Sequence, residues 1–269
     1  FEPMWDLLDR GRFGEREFKE LMAHYYGYVS YIDKCLGQVL DALDKLGLSE
    51  DTVVIFTSDH GELMGSHGCI FKGFMFYDEL FNVPFIVRYP PLVRPGSVSR
   101  ALISTIDVLP TILDLAGLPR PPRVRGRSFA HILKGGPDRH RRAVFASVCT
   151  DRFHVAACMV RTRRFKYCLN FRPRQVDELY DLQNDPGELR NLALDPNYRG
   201  VIRDLQGLLF RWMRETHYPW AEEAMEAAKN PRPYIRAINF EFKRPSEVLV
   251  WSAHRGISGL RWERGRMAG

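Results

Sequence analysis

Between Asp59 and Lys72 the chain carries four side chains that could handle ions. Asp59 and His60 are adjacent, so one hard oxygen and one imidazole nitrogen are offered together to a divalent cation. Asp suits Ca²⁺ or Mg²⁺, and a single His is compatible with Ca²⁺, Mn²⁺ or Zn²⁺. Asp59 also stands three residues before Glu62, the spacing of a helix capping box, so an N-cap is the competing assignment. Lys72 lies twelve residues beyond His60. Its compact ammonium could bind a tetrahedral oxyanion or stabilise charge on a leaving oxygen; taken singly, a solvent-facing loop lysine is the commoner case. His67, in Gly65-Ser66-His67-Gly68, is either a hydrogen-bond donor to bound substrate or a loop histidine with a structural bond.

The elements around these residues follow from periodicity. Phe18, Leu21, Met22, Tyr25, Tyr28, Val29, Ile32, Leu36, Val39, Leu40 and Leu43 recur at three- and four-residue steps, which predicts one helix from about Glu17 to Leu46, stopped by Gly47. Some 30 residues of helix span roughly 45 Å, the length needed to lie across a large sheet. Thr52–Thr57 and Val83–Tyr89 are short apolar, β-branched runs. They read as strands buried on both faces of a parallel sheet. Asp59 follows the first of them, and in doubly wound folds ligands sit beyond the carboxyl ends of strands. Ser104–Ala116 reads as a helix containing Pro110.

Beyond Pro137 the pattern changes. Residues 143–149, 154–160, 164–170 and 178–182 read as short antiparallel strands, and Tyr198–His217 as an amphipathic helix with Val201, Leu205, Leu208, Leu209 and Trp212 on its apolar face. The expected fold is α/β: part of a doubly wound mixed sheet with flanking helices, plus a small C-terminal α+β subdomain with an antiparallel sheet. Its expected divisions are residues 1–136, 137–218 and a surface-wrapping extension, 219–269.

The string from Thr57 to Pro90 resembles the sulfatase family of the alkaline phosphatase superfamily. The family pattern S-D-H-G-E/D-x-x-G-x-H-G-x-x-x-K runs from Ser58 to Lys72, followed by an acidic helix and Val83-Pro84-Phe85-Ile86-Val87. The resemblance continues through Tyr25–Asp33, Ile106–Gly117 and Glu178-Leu179-Tyr180-Asp181-Leu182 to Asp185-Pro186-Gly187-Glu188, covering roughly residues 17–216. It implies that Asp59 and His60 bind an active-site metal, Ca²⁺ or alternatively Mg²⁺ or Mn²⁺, and that Lys72 contacts the sulfate. The implied activity is metal-dependent hydrolysis of a sulfate ester, the substrate being an anionic small molecule or glycan. Phosphonate monoester or phosphodiester hydrolysis is the alternative within the superfamily.

Family sulfatases generate a formylglycine nucleophile from Cys-x-Pro-x-Arg or Ser-x-Pro-x-Arg. None of the five cysteines, Cys35, Cys69, Cys149, Cys158 and Cys168, begins such a stretch, and no serine does. No catalytic nucleophile is therefore assigned within these residues. The chain is expected to be part of a longer enzyme or a shortened copy, inactive alone. It would then pair with an N-terminal segment or a second copy, and a non-catalytic binding protein is the rival of another class.

The odd cysteine number, without Cys-x-x-Cys, argues against a disulfide framework or a zinc knuckle. The formal charge of +6 is concentrated in Arg120–Arg127, Arg139–Arg142 and Arg161–Arg164. Without a zinc-finger, RNP or P-loop pattern these runs favour solvated loops or an anionic small substrate over nucleic acid. No stretch reaches the ~18 to 20 apolar residues of a membrane span. Phe1–Asp6 has neither a basic nor an apolar leader region, and the compartment is left open. Arg123, Arg125 and Trp251 are candidate pocket-rim residues, with surface loops the commoner assignment.

Overall fold

The computed structural model describes residues 14–70, 72–150, 155–171 and 176–229. Trp251 and most of the expected 219–269 extension lie outside the described residues. Two units are distinguished, one holding the described residues 14–54 and the other residues 55–229.

The first unit contains helix α1, Glu15–Lys45. Glu17 accepts a hydrogen bond from the Gly14 N–H at 2.9 Å, and Gly47 adopts φ 68° just past the helix end, where a side chain would be strained. The periodicity therefore predicts the extent of α1 well. Within this unit taken by itself no residue of α1 is buried, and Tyr26, Tyr28 and Tyr31 are each about two-thirds exposed. A 3.6-residue period selects a helix and one of its faces, but burial requires something packed on that face.

The second unit is a mixed α/β arrangement. Strands β1 (Val54–Thr57) and β2 (Phe85–Arg88) pair with each other as a two-stranded sheet. They were expected to be covered on both faces. None of their residues is fully buried and Ile86 is 60% exposed, so covering of both faces is not seen among the described residues. Helix α2 (Asp78–Phe81) precedes β2, and helix α3 (Val108–Leu115) follows a single 3-10 turn at Thr105–Asp107. Pro110 is tolerated in α3 because it occupies the first turn, where its missing N–H has no helical acceptor to lose. Helix α4 is Ala130–Leu133.

The four short antiparallel strands expected from the sequence are present in one sheet, in the order β3 (Val144–Thr150), β4 (Val155–Arg161), β5 (Phe165–Asn170), β6 (Glu178–Asp181). Its register pairs Ser147 with Cys158, Met159 with Cys168 and Tyr167 with Leu179. Alternate β4 residues serve two different cores. Ala156, Cys158 and Val160 join Tyr167, Leu169 and Leu179 beneath helices α5 (Arg199–Glu215) and α6 (Ala221–Lys229). Ala157 and Met159 join Cys168 and Phe76 on the opposite face. Leu205, Leu209 and Met213 recur every four residues along α5 and are buried in the first core, each contributing about 1.5–3 kcal/mol. No described helix is long and apolar enough to cross a membrane.

One partly buried acid gives the sheet a pH dependence. Burial pushes the Glu178 carboxyl up to about 7, against the opposing hydrogen bond from the Tyr180 hydroxyl at 3.1 Å. The folded state therefore retains a proton that the unfolded chain releases near pH 4.5. The contribution of this group to stability is full below that pH, falls as the pH rises through about 7, and is constant above it. The difference in melting temperature between wild type and Glu178→Gln is expected to be more favourable to wild type at pH 5 than at pH 8. Thermal unfolding of both proteins at the two pH values checks it; an unchanged difference would refute the assignment.

Candidate functional site

Asp59 and His60 leave the carboxyl end of β1 in an extended turn. No helix follows them, so the capping-box assignment for Asp59 and Glu62 is not realised. The Asp59 Oδ1 instead accepts the His60 backbone N–H at 2.9 Å, while Glu62 accepts the N–H of Leu63. The same His60 N–H, with the imidazole as a second cause, holds the exposed Asp59 carboxyl below its usual range. Ser58 Oγ donates to the His60 carbonyl at 2.7 Å and closes the turn.

The imidazole is oriented by its own neighbour. His60 Nδ1 lies 2.8 Å from the Gly61 carbonyl, an acceptor only, so Nδ1 carries the proton in this contact. The lone pair is then on Nε2, which lies 3.7 Å from Asp59 Oδ2 and 2.9 Å from Lys72 Nζ. A carboxylate oxygen, an imidazole lone pair and an ammonium thus converge. This is the backbone-fixed tautomer that metal-binding histidines use. The donor set fits two ligands of a divalent cation. Calcium takes six to eight oxygens, so these two groups alone would fill only part of its coordination shell. Among the described residues no group of three or more His, Cys, Asp or Glu is arranged to hold a metal.

Gly61 determines where this turn sits. Its N–H donates to the Leu80 carbonyl of α2 at 2.9 Å, and a Cβ on Gly61 would fall 1.8 Å from the Glu79 carbonyl oxygen. Only glycine allows the backbone to approach α2 so closely.

His67 occupies a different environment from the other three. It has φ 55° within a 3-10 turn, and its side chain is buried. The ring stacks on Tyr77 with centroids 3.5 Å apart and planes within 4°. Nε2 is 3.5 Å from Glu79 Oε1. Burial lowers its pKa, outweighing the Glu79 carboxylate. No described hydrogen bond or ion pair joins it to Asp59, His60 or Lys72. Arg125 donates to the Thr216 carbonyl at the end of α5, and Arg123 is exposed.

Comparison with known proteins identifies the family of the chain. The family model described as N-sulphoglucosamine sulphohydrolase, C-terminal, matches residues 65–215, more than half of the chain, and the sulfatase model matches residues 8–118. The chain belongs to the sulfatase family of the alkaline phosphatase superfamily. It is 33% identical over 208 residues to the Delta 4,5-hexuronate-2-O-sulfatase of Bacteroides thetaiotaomicron, covering 76% of this chain and 43% of that protein. The structure of a 2-O GAG sulfatase superposes with a TM-score of 0.70 at 30% identity, covering 82% of this chain and 47% of the other. The phosphonate monoester hydrolase of Agrobacterium radiobacter superposes with a TM-score of 0.66 at 31% identity, covering 76% and 43%. The sulfatase chain therefore spans about half the length of the relatives it matches.

Asp59, His60 and Lys72, which the motif singles out, are brought together by the fold. Sequence reasoning assigned no separate role to Gly61, or to the buried Lys166 and Glu188 and the half-buried Asp78 and Arg161 that hold α2. Gly61 had a readable signal, a glycine directly after Asp59-His60. The meeting of the other four had no local signal, because it depends on pairings across some ninety residues.

Proposed function

We propose that this chain supplies the metal-ligand and anion-contact part of a sulfate ester hydrolase. The convergence of Asp59 Oδ2, His60 Nε2 and Lys72 Nζ carries the reading. Asp59 and His60 would hold a divalent cation, Ca²⁺ first and Mg²⁺ or Mn²⁺ as alternatives. The cation, when bound, lowers the pKa of a hydroxyl nucleophile and neutralises sulfate oxygens. The Ser58 bond to the His60 carbonyl and the Nδ1 contact with the Gly61 carbonyl fix the ring so that Nε2 keeps its lone pair. Lys72 then contacts the sulfate and stabilises charge on the departing ester oxygen. The substrate is an anionic sulfate ester, of a small molecule or a glycan. No Cys-x-Pro-x-Arg or Ser-x-Pro-x-Arg stretch is present in these 269 residues, so hydrolysis requires a nucleophile from elsewhere.

A second reading, hydrolysis of phosphonate monoesters or phosphodiesters, is favoured by the similarity to the Agrobacterium enzyme. Turnover of matched aryl sulfate, aryl phosphonate and aryl phosphodiester substrates by the enzyme containing this chain separates the two. In that enzyme Lys72→Ala is expected to lower kcat by about 10²–10³-fold, the usual loss on removing one charge-stabilising donor. Asp59→Ala is expected to reduce turnover and calcium affinity together. Wild-type turnover in Asp59→Ala would remove the reading.

A further inference from the structure

Lys166 on β5 is a fully buried lysine, and its three N–H bonds have three acceptors within reach. Nζ donates to the Phe76 carbonyl at 2.7 Å and to Asp78 Oδ1 at 2.5 Å, and lies 2.8 Å from Glu188 Oε1. Arg161, at the end of β4, forks onto the Asp78 carboxylate at 3.2 and 2.7 Å. Glu188 Oε2 accepts the Asp78 backbone N–H at 2.6 Å, one of the donors that the start of α2 leaves without a helical partner. Two cations and two anions thus close a neutral, mostly buried cluster. Burial alone would push the Asp78 carboxyl up, but Lys166 and Arg161 outweigh it and hold it below the usual range.

What this cluster grips is α2, a single four-residue turn. A helix that short has no stability of its own, so its position comes from its contacts. Both parts of the ion-binding loop rest on it. Gly61, next to His60, donates to Leu80 and packs against Glu79. His67 stacks on Tyr77, the residue that precedes the helix. The antiparallel sheet therefore bears on the Asp59–His60 turn through α2, although no residue of that sheet reaches the turn in any described hydrogen bond or ion pair.

We propose that Lys166, with Glu188 and Arg161, is a positioning residue. It seats α2 so that the Asp59–His60 turn keeps its geometry, which makes the small sheet a working part of the ion site rather than an appended unit. Only the cation-binding consequence rests on the metal-ligand reading above; the seating of the turn does not.

The test compares full-chain wild type, Lys166→Met, Glu188→Gln, Asp59→Ala and Leu209→Ala. The last is a core change on the opposite face of the sheet that matches global destabilisation without touching the cluster. Amide hydrogen exchange at Gly61 is expected to be at least about tenfold faster in Lys166→Met than in Leu209→Ala at equal global stability, because local opening is read independently of global unfolding. Calcium affinity, by titration calorimetry, is expected to fall about 10–100-fold in Lys166→Met and to hold in Leu209→Ala, as for other residues that orient ligands. Glu188→Gln keeps a carbonyl acceptor for the Asp78 N–H and is expected to fall between. If Lys166→Met does not fold, Glu188→Gln carries the same comparison. Gly61 exchange no faster in the folded cluster variants than in Leu209→Ala overturns the proposal. Calcium binding unaffected by Asp59→Ala would instead sink the metal reading, while the exchange result still decides the positioning role.

Discussion

Asp107→Ala is expected to destabilise the second unit by about 3–5 kcal/mol, the cost of removing one partner from a buried ion pair. Asp107 is completely buried. Its carboxylate accepts the backbone N–H groups of Arg127 at 2.8 Å and Ser104 at 3.0 Å. Arg141 Nε donates to Oδ2 at 2.7 Å and its Nη2 to Oδ1, and His140 Nε2 lies 3.2 Å away. Burial pushes this carboxyl up, but Arg141 and the two backbone donors outweigh that and keep it ionised below its usual range. Alanine would leave two backbone donors and a nearly buried guanidinium without their acceptor. The arrangement also needs Gly126, because a Cβ there would sit 1.8 Å from the Ile106 carbonyl oxygen. Urea unfolding checks the magnitude, and Asp107→Asn, which keeps the shape and loses the charge, is expected to fall between. A change below about 1 kcal/mol, the level of an exposed pair, would contradict the assignment.

Gly61→Ala is expected to act on the site. A methyl group 1.8 Å from the Glu79 carbonyl oxygen cannot be accommodated by a side-chain rotation, since the obstacle is backbone. The Asp59–His60 turn must therefore separate from α2, and the hydrogen bond from Gly61 to Leu80 is lost. In the enzyme containing this chain, kcat/KM is expected to fall by about 10²-fold, the penalty of a displacement near 1 Å in a reacting constellation. The far-ultraviolet circular dichroism of the folded protein is expected to stay close to wild type. Wild-type kcat/KM in Gly61→Ala would show that the close approach to α2 does not position the ligand pair.

Much of this protein was determined by local sequence. The three- and four-residue steps from Phe18 to Leu43 specify α1, and the short apolar runs after Ala143 specify four antiparallel strands. These patterns act over one or two turns of chain, so they are readable without knowing the fold. The Ser58-to-Lys72 motif likewise marks the candidate site residues, because their types and spacing sit within one loop.

Tertiary structure decided which of these signals were used. It turned His67 inward onto Tyr77 and kept Asp59 from capping a helix. It also brought Lys166 to Asp78 across 88 residues and Arg141 to Asp107 across 34. Neither pair has a local pattern, because a buried charge is stable only where packing delivers its partner. The register of β4 against β5 and the close approach at Gly126 make those deliveries. They arise when separate segments pack, a step that no window of sequence contains.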